Sequence, residues 1–177
     1  MVWGYLTLIL KQKKSRSVAF SLDNNLPGFQ VNDIKTTQRG AVLVGSNRGL
    51  LKYNPLSNEL DHAKFTTLKD AEIIKKSIQS ILTNKDGSVW LGTVNNGLIE
   101  IYTTPTNYYE FKTHKITDKR ILALELDASG AIFCGTENDG LFIINNQGVK
   151  SLKYNRSNTK GIKSNSVWSV YIDESDR

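Results

Sequence analysis

The sequence has very little cysteine and histidine, the two side chains that most often mark redox, metal or nucleophilic sites. Of 177 residues, one is cysteine and two are histidine. The single Cys134 excludes a disulfide within the chain. It stands where other copies of an internal repeat carry Leu91 and Val44, which predicts a small buried hydrophobe. His62 and His114 are predicted to lie in linkers, with no triad spacing and no metal-ligand pattern, so no cofactor or metal is expected.

Long hydrophobic runs are also lacking. Residues 1–10 are apolar, but ten residues are too few to span a membrane. The basic cluster follows this stretch at Lys11, Lys13, Lys14 and Arg16, whereas a signal peptide carries its charges first. The sequence therefore predicts strands here, with no transmembrane or signal segment.

Apart from that basic cluster, charge of one sign is not concentrated in the sequence. The net charge is +6, with 39% hydrophobic and 23% charged residues, which is typical of a globular chain. The lysines and arginines are scattered, many of them between repeats, which favours a solvated loop surface over a basic patch. Nucleic acid is not an expected partner, and residues 1–177 are interpreted as one domain.

A box of residues occurs three times and begins a fourth time. The clearest copy covers residues 78–98, the second covers 121–141, and a weaker one covers 31–50. The last begins at residue 167, so successive copies start 47, 43 and 46 residues apart. A fixed period of this size points to a repeat architecture.

The contents of the box predict strands. Each copy has a short apolar run, such as Val89-Trp90-Leu91, between glycine-bearing turns, and a second apolar run follows. Three to four short strands per repeat are typical of a blade of a β-propeller. The fold class is therefore predicted to be all-β, with about four blades of four-stranded antiparallel sheets, as part of a larger, seven-bladed propeller. Residues 1–30 would be the outer strands of a truncated blade, and residues 162–177 an inner strand without outer ones.

Box positions one and four are apolar in every copy, as in Ile78 and Ile81. Residues three apart on a regular strand face opposite sides, so both faces of this strand are expected to be buried. Asp86 is interpreted as a turn residue and not a metal ligand. Six residues are assigned to packing and turns: Trp90, Phe133, Gly92, Gly135, Gly97 and Gly140.

The pattern I-x-x-I…D-G-x-x-W-L-G-T-x-x-N-G-L, best seen at residues 78–98, resembles the two-component regulator propeller repeat. That family forms the periplasmic sensor region of hybrid two-component system histidine kinases. The resemblance implies a periplasmic location, an oligosaccharide signal passed to a histidine kinase, and membrane contact only through other parts of such a protein. No kinase motif is found in this sequence, so the chain is predicted not to be an enzyme. If the positive charge has a purpose, an acidic glycan fits the resemblance better than nucleic acid does.

Sugars are commonly held by aromatic faces and a few placed polar groups. Candidate ligand contacts are therefore Tyr108, Asn95, Asn96, Asn138, Asp139 and Trp168. For the Asn and Asp pairs, turn chemistry is the competing interpretation. For Tyr108, it is blade packing.

Two functional alternatives and two arrangements of the ends stay open. The chain could be an interaction or dimerisation scaffold, or a glycan-active propeller enzyme, although the small residues at box position three supply no acid/base groups. The two ends could complete one composite blade, or open blade faces could drive self-association.

Overall fold

A computed structural model describes most of the chain. The described residues are 5–9, 15–19, 28–38, 40–54, 59–62, 72, 75–103, 109–154, 157 and 161–173. Among them, no helix is long and apolar enough to cross a membrane.

The described strands form four antiparallel sheets. A two-stranded sheet at the N-terminal side pairs β1 (Tyr5–Ile9) with β2 (Ser15–Ala19). The first blade contains β3 (Val31–Thr36), β4 (Val42–Ser46), β5 (Gly49–Asn54) and β6 (Glu59–His62). The second blade contains β7 (Ile78–Thr83), β8 (Val89–Thr93), β9 (Leu98–Thr103) and β10 (Tyr109–His114). The third blade contains β11 (Ile121–Leu126), β12 (Ile132–Thr136), β13 (Leu141–Asn145) and β14 (Gly148–Leu152). In each blade the strands follow one another in chain order, as predicted.

The turn between the first two strands of each blade is built the same way in all three copies. In the second blade, the amide of Asn84 donates to Ser88 O, and the amide of Gly87 donates to Asn84 O. Gly87 has a φ of 88°, a conformation that costs glycine little. The Asp86 carboxylate accepts hydrogen bonds from the amide and the hydroxyl of Ser88, so in this structure Asp86 organises the turn.

The first strand of each blade carries a β-bulge, and this bulge corrects the prediction that box positions one and four face opposite sides. Ile78 pairs with Thr93 and Ile81 pairs with Leu91, because the register shifts by one residue between Ile78 and Ser80. Thr93 and Leu91 are two apart on β8 and share a face, so Ile78 and Ile81 share that face as well. The same shift occurs in the first strand of the other two blades.

Each blade therefore has a leading face, which carries box positions one and four, and a trailing face on the other side. The leading face of the second blade packs on Leu43 and Leu50 of the first blade in one hydrophobic cluster. The trailing face of the second blade meets the leading face of the third in another. That cluster contains Leu82, Trp90 and Leu98 from the second blade, and Ile121, Leu124, Ile132, Cys134, Phe142 and Ile144 from the third. The core of the protein thus lies between the blades.

The glycine inside the second strand of each blade is explained by this packing. A Cβ on Gly92 would lie 2.7 Å from Ile121 Cγ2, and a Cβ on Gly45 would lie 2.9 Å from Ile78 Cγ2. Gly135 has the same relation to Val167, whose carbonyl oxygen would lie 2.6 Å from the added Cβ. The first residue of each box therefore sits on the glycine of the preceding blade, and a side chain there would push two blades apart.

The end blades are covered less completely than the second. Ile34 is 37% exposed, whereas Ile81, at the same box position, is 1% exposed. At the other end, the segment 161–173 forms no strand, although the amide of Val167 donates to Thr136 O. The prediction that residues 1–30 and 162–177 belong to incomplete blades, and the prediction of one domain over residues 1–177, stay predictions.

Candidate ligand groove at the edge of the second blade

The turn between β8 and β9 supports the groove. Its sequence is Asn95-Asn96-Gly97, and its shape is set by Thr93, whose buried hydroxyl donates to Gly97 O and accepts from the amide of Asn96. Gly97 has a φ of 72°, and an added Cβ would lie 2.5 Å from His114 O. Glycine is therefore needed at position 97 for two reasons, namely the backbone conformation of the turn and the close approach of the end of β10.

A groove of about 470 Å³ opens between this turn and the connection from the second blade to the third. Its lining combines two ammonium groups, two amides, two hydroxyls and one carboxylate with two isoleucine side chains. The lining residues are Lys76, Asn95, Asn96, Ile99, Thr113, Lys115, Ile116, Thr117 and Asp118. A partly apolar concave surface with a few placed polar groups is the usual form of a small-ligand site.

Several polar groups of the groove keep hydrogen-bonding or ion-pairing capacity that contacts within the protein do not fill. Asn96 Nδ2 donates to Asn95 Oδ1 over 2.6 Å, and both residues line the groove without another side-chain hydrogen bond to a described residue. Asp118 lies 3.5 Å from Lys119 Nζ, in an exposed pair. Within the described part of the chain, neither Lys76 nor Lys115 has an ion-pair partner. The groove therefore presents donors of both charged and neutral kinds.

The corresponding turn of the third blade is engaged in bonds within the protein. Asp139 accepts from Thr117 Oγ1 over 2.7 Å and pairs with Lys153. Burial alone would raise the pKa of Asp139, but the hydrogen bonds from Lys153 and Thr117 outweigh it and hold the pKa below its ordinary value. Asn138 has a φ of 64°, and its side-chain oxygen accepts from Ser166 Oγ over 2.8 Å. The Asn138–Asp139 pair thus connects neighbouring segments.

The structure brings only two of the ligand candidates into the groove, namely Asn95 and Asn96. Trp168 is 68% exposed and is not among the groove residues, and Tyr108 lies outside the described residues. Sequence reasoning missed Thr113 and Thr117 and treated Lys76 and Lys115 as part of a scattered charge. The spacing of these residues carries no signal for the groove, because the β9–β10 register and the connection between blades bring them together.

Both histidines end an outer strand, so their prediction as linker residues was wrong. His62 is the last residue of β6, and His114 is the last of β10. The His114 ring lies 5.0 Å from the Trp90 ring, and His114 Nε2 is 2.9 Å from Glu100 Oε2. The register that pairs β9 with β10 places all three on one face, which the local sequence around His114 does not reveal.

Trp90 is 8% exposed, and its indole N–H has no hydrogen-bond partner among the described residues. Phe133, the equivalent residue of the third blade, is half-buried.

Burial raises the pKa of the Cys134 thiol to about 12, which keeps it protonated and poorly nucleophilic at neutral pH. The described residues contain no group of His, Cys, Asp and Glu side chains that could hold a metal ion.

Solved structures with this arrangement of strands include two of the extracellular domain of BT4673 from B. thetaiotaomicron. One structure describes it as a hybrid two-component system, with a TM-score of 0.74, 21% identity and coverage of 97% of this chain and 24% of that one. The other describes it as a one-component system, with a TM-score of 0.73, 21% identity and coverage of 94% and 22%. The fold is that of a β-propeller. PorZ, a surface component of the type-IX secretion system of Porphyromonas gingivalis, is more distant, with a TM-score of 0.62, 14% identity and coverage of 93% and 27%.

One sequence relative of the chain is a histidine kinase. The chain is 29% identical over 105 residues to histidine kinase P4 of Formosa agariphila. The matched region covers 56% of this chain and 7% of that protein. No protein-family model matches the chain. The predicted resemblance to the sensor propellers of two-component systems is confirmed by these relatives. The predicted periplasmic location agrees with neighbours that are extracellular domains. The chain spans a small part of the length of each of these relatives.

Proposed function

We propose that this propeller is a non-catalytic, extracytoplasmic sensing module of a hybrid two-component signalling protein, and that it binds a carbohydrate-type ligand in the groove of the second blade. The sequence relation to a histidine kinase and the fold shared with extracellular domains support the sensing role. The observation that carries the ligand site is the groove itself, with amide, hydroxyl and ammonium donors beside Ile99 and Ile116.

The chemistry of the groove suits a saccharide. Amides and hydroxyls such as Asn95, Asn96 and Thr113 can hydrogen-bond sugar hydroxyls, while the partly exposed Ile116 side chain can contact the apolar face of a sugar ring. The proposal assigns no bond-breaking step to these residues. Binding would bias the arrangement of the sensor region by the difference in affinity for its two states, and that bias would reach the kinase.

A panel of oligosaccharides titrated into the 177-residue chain by isothermal calorimetry tests the proposal. At least one class is expected to bind saturably, and chromatography of the incubated sugar is expected to show no product. The double change Asn95→Ala and Asn96→Ala should weaken binding about tenfold, because it removes two amide contacts. Gln147→Ala, an exposed change outside the groove, is the matched control and should leave affinity unchanged. Absence of saturable binding across the panel contradicts the ligand role, and product formation contradicts the non-catalytic role.

A self-associating scaffold is the second candidate, and the exposure of apolar residues near the two ends favours it. Ile34 is 37% exposed on the leading face of the first blade, and Trp168 and Tyr171 are 68% and 78% exposed. Contact with a second copy of the chain would bury these exposed side chains. Sedimentation velocity should then show a concentration-dependent dimer that Ile34→Asp weakens. A concentration-independent monomer contradicts this second role.

A further inference from the structure

The turn after the second strand runs from Thr93 to Gly97 in the second blade and from Thr136 to Gly140 in the third. Two of its residues differ in charge, because Val94 and Asn96 correspond to Glu137 and Asp139. In both blades, the last glycine of the turn touches the end of the outer strand. The Cβ position of Gly97 lies 3.4 Å from Lys115 Cα, and that of Gly140 lies 3.3 Å from Lys153 Cα. Lys115 and Lys153 are therefore equivalent residues. The turn residue before the glycine is Asn96 in one blade and Asp139 in the other.

This difference changes the charge of the two sites. In the third blade the Asp139 carboxylate neutralises Lys153. In the second blade Asn96 is a neutral amide, and Lys115 has no acidic partner within the described residues. Lys76 lines the same groove, and the acidic Asp118 is paired with Lys119 at 3.5 Å. Lys115 and the Asn96 amide are left to face a ligand, together with Lys76, whose charge also acts on the exposed Glu72.

We propose that the groove of the second blade selects an acidic saccharide, whose carboxylate or sulfate group takes the place beside Lys115 that Asp139 occupies beside Lys153. This inference rests on the proposed carbohydrate-binding function and names the class of ligand. An oxyanion can accept from the ammonium groups of Lys115 and Lys76 and from the Asn96 amide. The partly exposed side chain of Ile116 contacts the ring that carries the acid.

The inference is tested with three oligosaccharides of equal length, one neutral, one containing uronic acid and one sulfated, each titrated into the 177-residue chain. At least one acidic sugar is expected to bind about tenfold more tightly than the neutral one. Its affinity should fall as salt is raised from low to physiological ionic strength, while the affinity of the neutral sugar stays constant. The uronate and sulfate arms decide which acid the groove prefers.

Three variants separate the charge of the groove from the fold and from the net charge of the chain. Asn96→Asp installs the carboxylate that the third blade already carries at this turn, so it is compatible with the local backbone. It should remove the preference for the acidic sugar, and Lys115→Gln should do the same. Lys150→Gln removes an exposed positive charge from β14, outside the groove, and should leave the preference intact.

The two levels of the proposal fail differently. If neutral and acidic sugars bind equally, and Asn96→Asp changes neither affinity, the acid preference is overturned while saccharide binding stands. If the preference is lost equally in Lys150→Gln, the effect comes from net charge and the assignment to this groove is overturned. If no sugar of either kind binds, the carbohydrate-binding function falls together with this inference.

Discussion

The second and third blades are built from nearly the same box but lie in different surroundings. The second blade has a neighbour on both faces, and Trp90 on its trailing face is 8% exposed. The third blade has a complete blade only on its leading face, and Phe133 on its trailing face is half-buried. The burial of a box residue is thus decided by the neighbouring blade, because each sheet contributes only half of every interblade core.

A second difference concerns the turn after the second strand. The third blade uses Asp139 to tie Lys153 and Thr117 together, whereas the second blade places Asn96 beside an unneutralised Lys115. One position of the repeat therefore joins two connections in the third blade and makes no such link in the second. Comparing copies within one chain separates residues that build the blade from residues that are free to do something else.

The largest expected effect on stability is the difference between truncating Trp90 and truncating Phe133. Trp90→Ala should lower the free energy of unfolding by about 4 kcal/mol, because it empties a buried site between two blades. Phe133→Ala should cost about 2 kcal/mol, since its ring is already partly in water. Urea denaturation of both variants and of the wild type measures the difference. Equal losses would contradict the view that the neighbouring blade decides the contribution.

The repeated glycines provide the next comparison. Gly92→Ala should cost about 3 kcal/mol, because the new methyl group collides with the buried Ser80 hydroxyl of its own blade and with Ile121 of the next. Gly135→Ala should cost about 2 kcal/mol, because the added Cβ meets the carbonyl oxygen of Val167 in a segment that is hydrogen-bonded to the third blade but forms no strand. Thermal and urea unfolding of the two variants should rank them in this order, and the reverse order would contradict the assigned contacts.

The Asp139–Lys153 ion pair of the third blade should contribute less to stability than the packing contacts of Trp90 and Gly92. Asp139→Asn removes the charge that holds Lys153 and should cost about 1 kcal/mol. Asn96→Asp in the second blade should be close to neutral, or slightly stabilising, because it offers Lys115 a partner at the surface. A double-mutant cycle with Lys153→Met should show a coupling energy for Asp139. A coupling of zero would mean that the pair contributes nothing to stability.

The smallest expected effect is the pH dependence of the stabilisation that the Asp139–Lys153 ion pair provides. Folding lowers the pKa of Asp139 below its ordinary value of 3.8, so the unfolded chain takes up this proton first as the pH falls. The stabilisation is therefore fully present above about pH 5 and is lost as the pH falls through the lowered pKa. Between about pH 5 and 3 the wild type should lose more stability than Asp139→Asn. Parallel pH profiles of the two proteins would contradict this role for Asp139.

The sequence predicted the strands, the turns and the repeat well, because period-two patterns and turn glycines are local properties. It failed on the faces of β7, where a bulge turns Ile78 and Ile81 to the same side. A bulge depends on how one strand is hydrogen-bonded to its partner, and three-residue spacing alone does not reveal it. It also placed His114 in a linker, since the outer strand is short and only the register with β9 identifies it.

The candidate site was predicted only in part. Asn95 and Asn96 were chosen as polar turn residues, but the same reasoning also chose Asn138 and Asp139, which bind Ser166, Thr117 and Lys153. Only the contacts distinguish the two pairs, because the distinguishing partners come from other strands and connections.

By itself, the sequence determined that the chain is built from repeated blades, and why glycine recurs inside and after the second strand. Backbone conformation and the apolar period of a strand are written within a few neighbouring residues. The tertiary structure alone decided which faces are covered, where the groove opens and which lysine keeps its charge unpaired. Those properties depend on residues 22 to 48 positions apart, which meet only when one blade packs on the next.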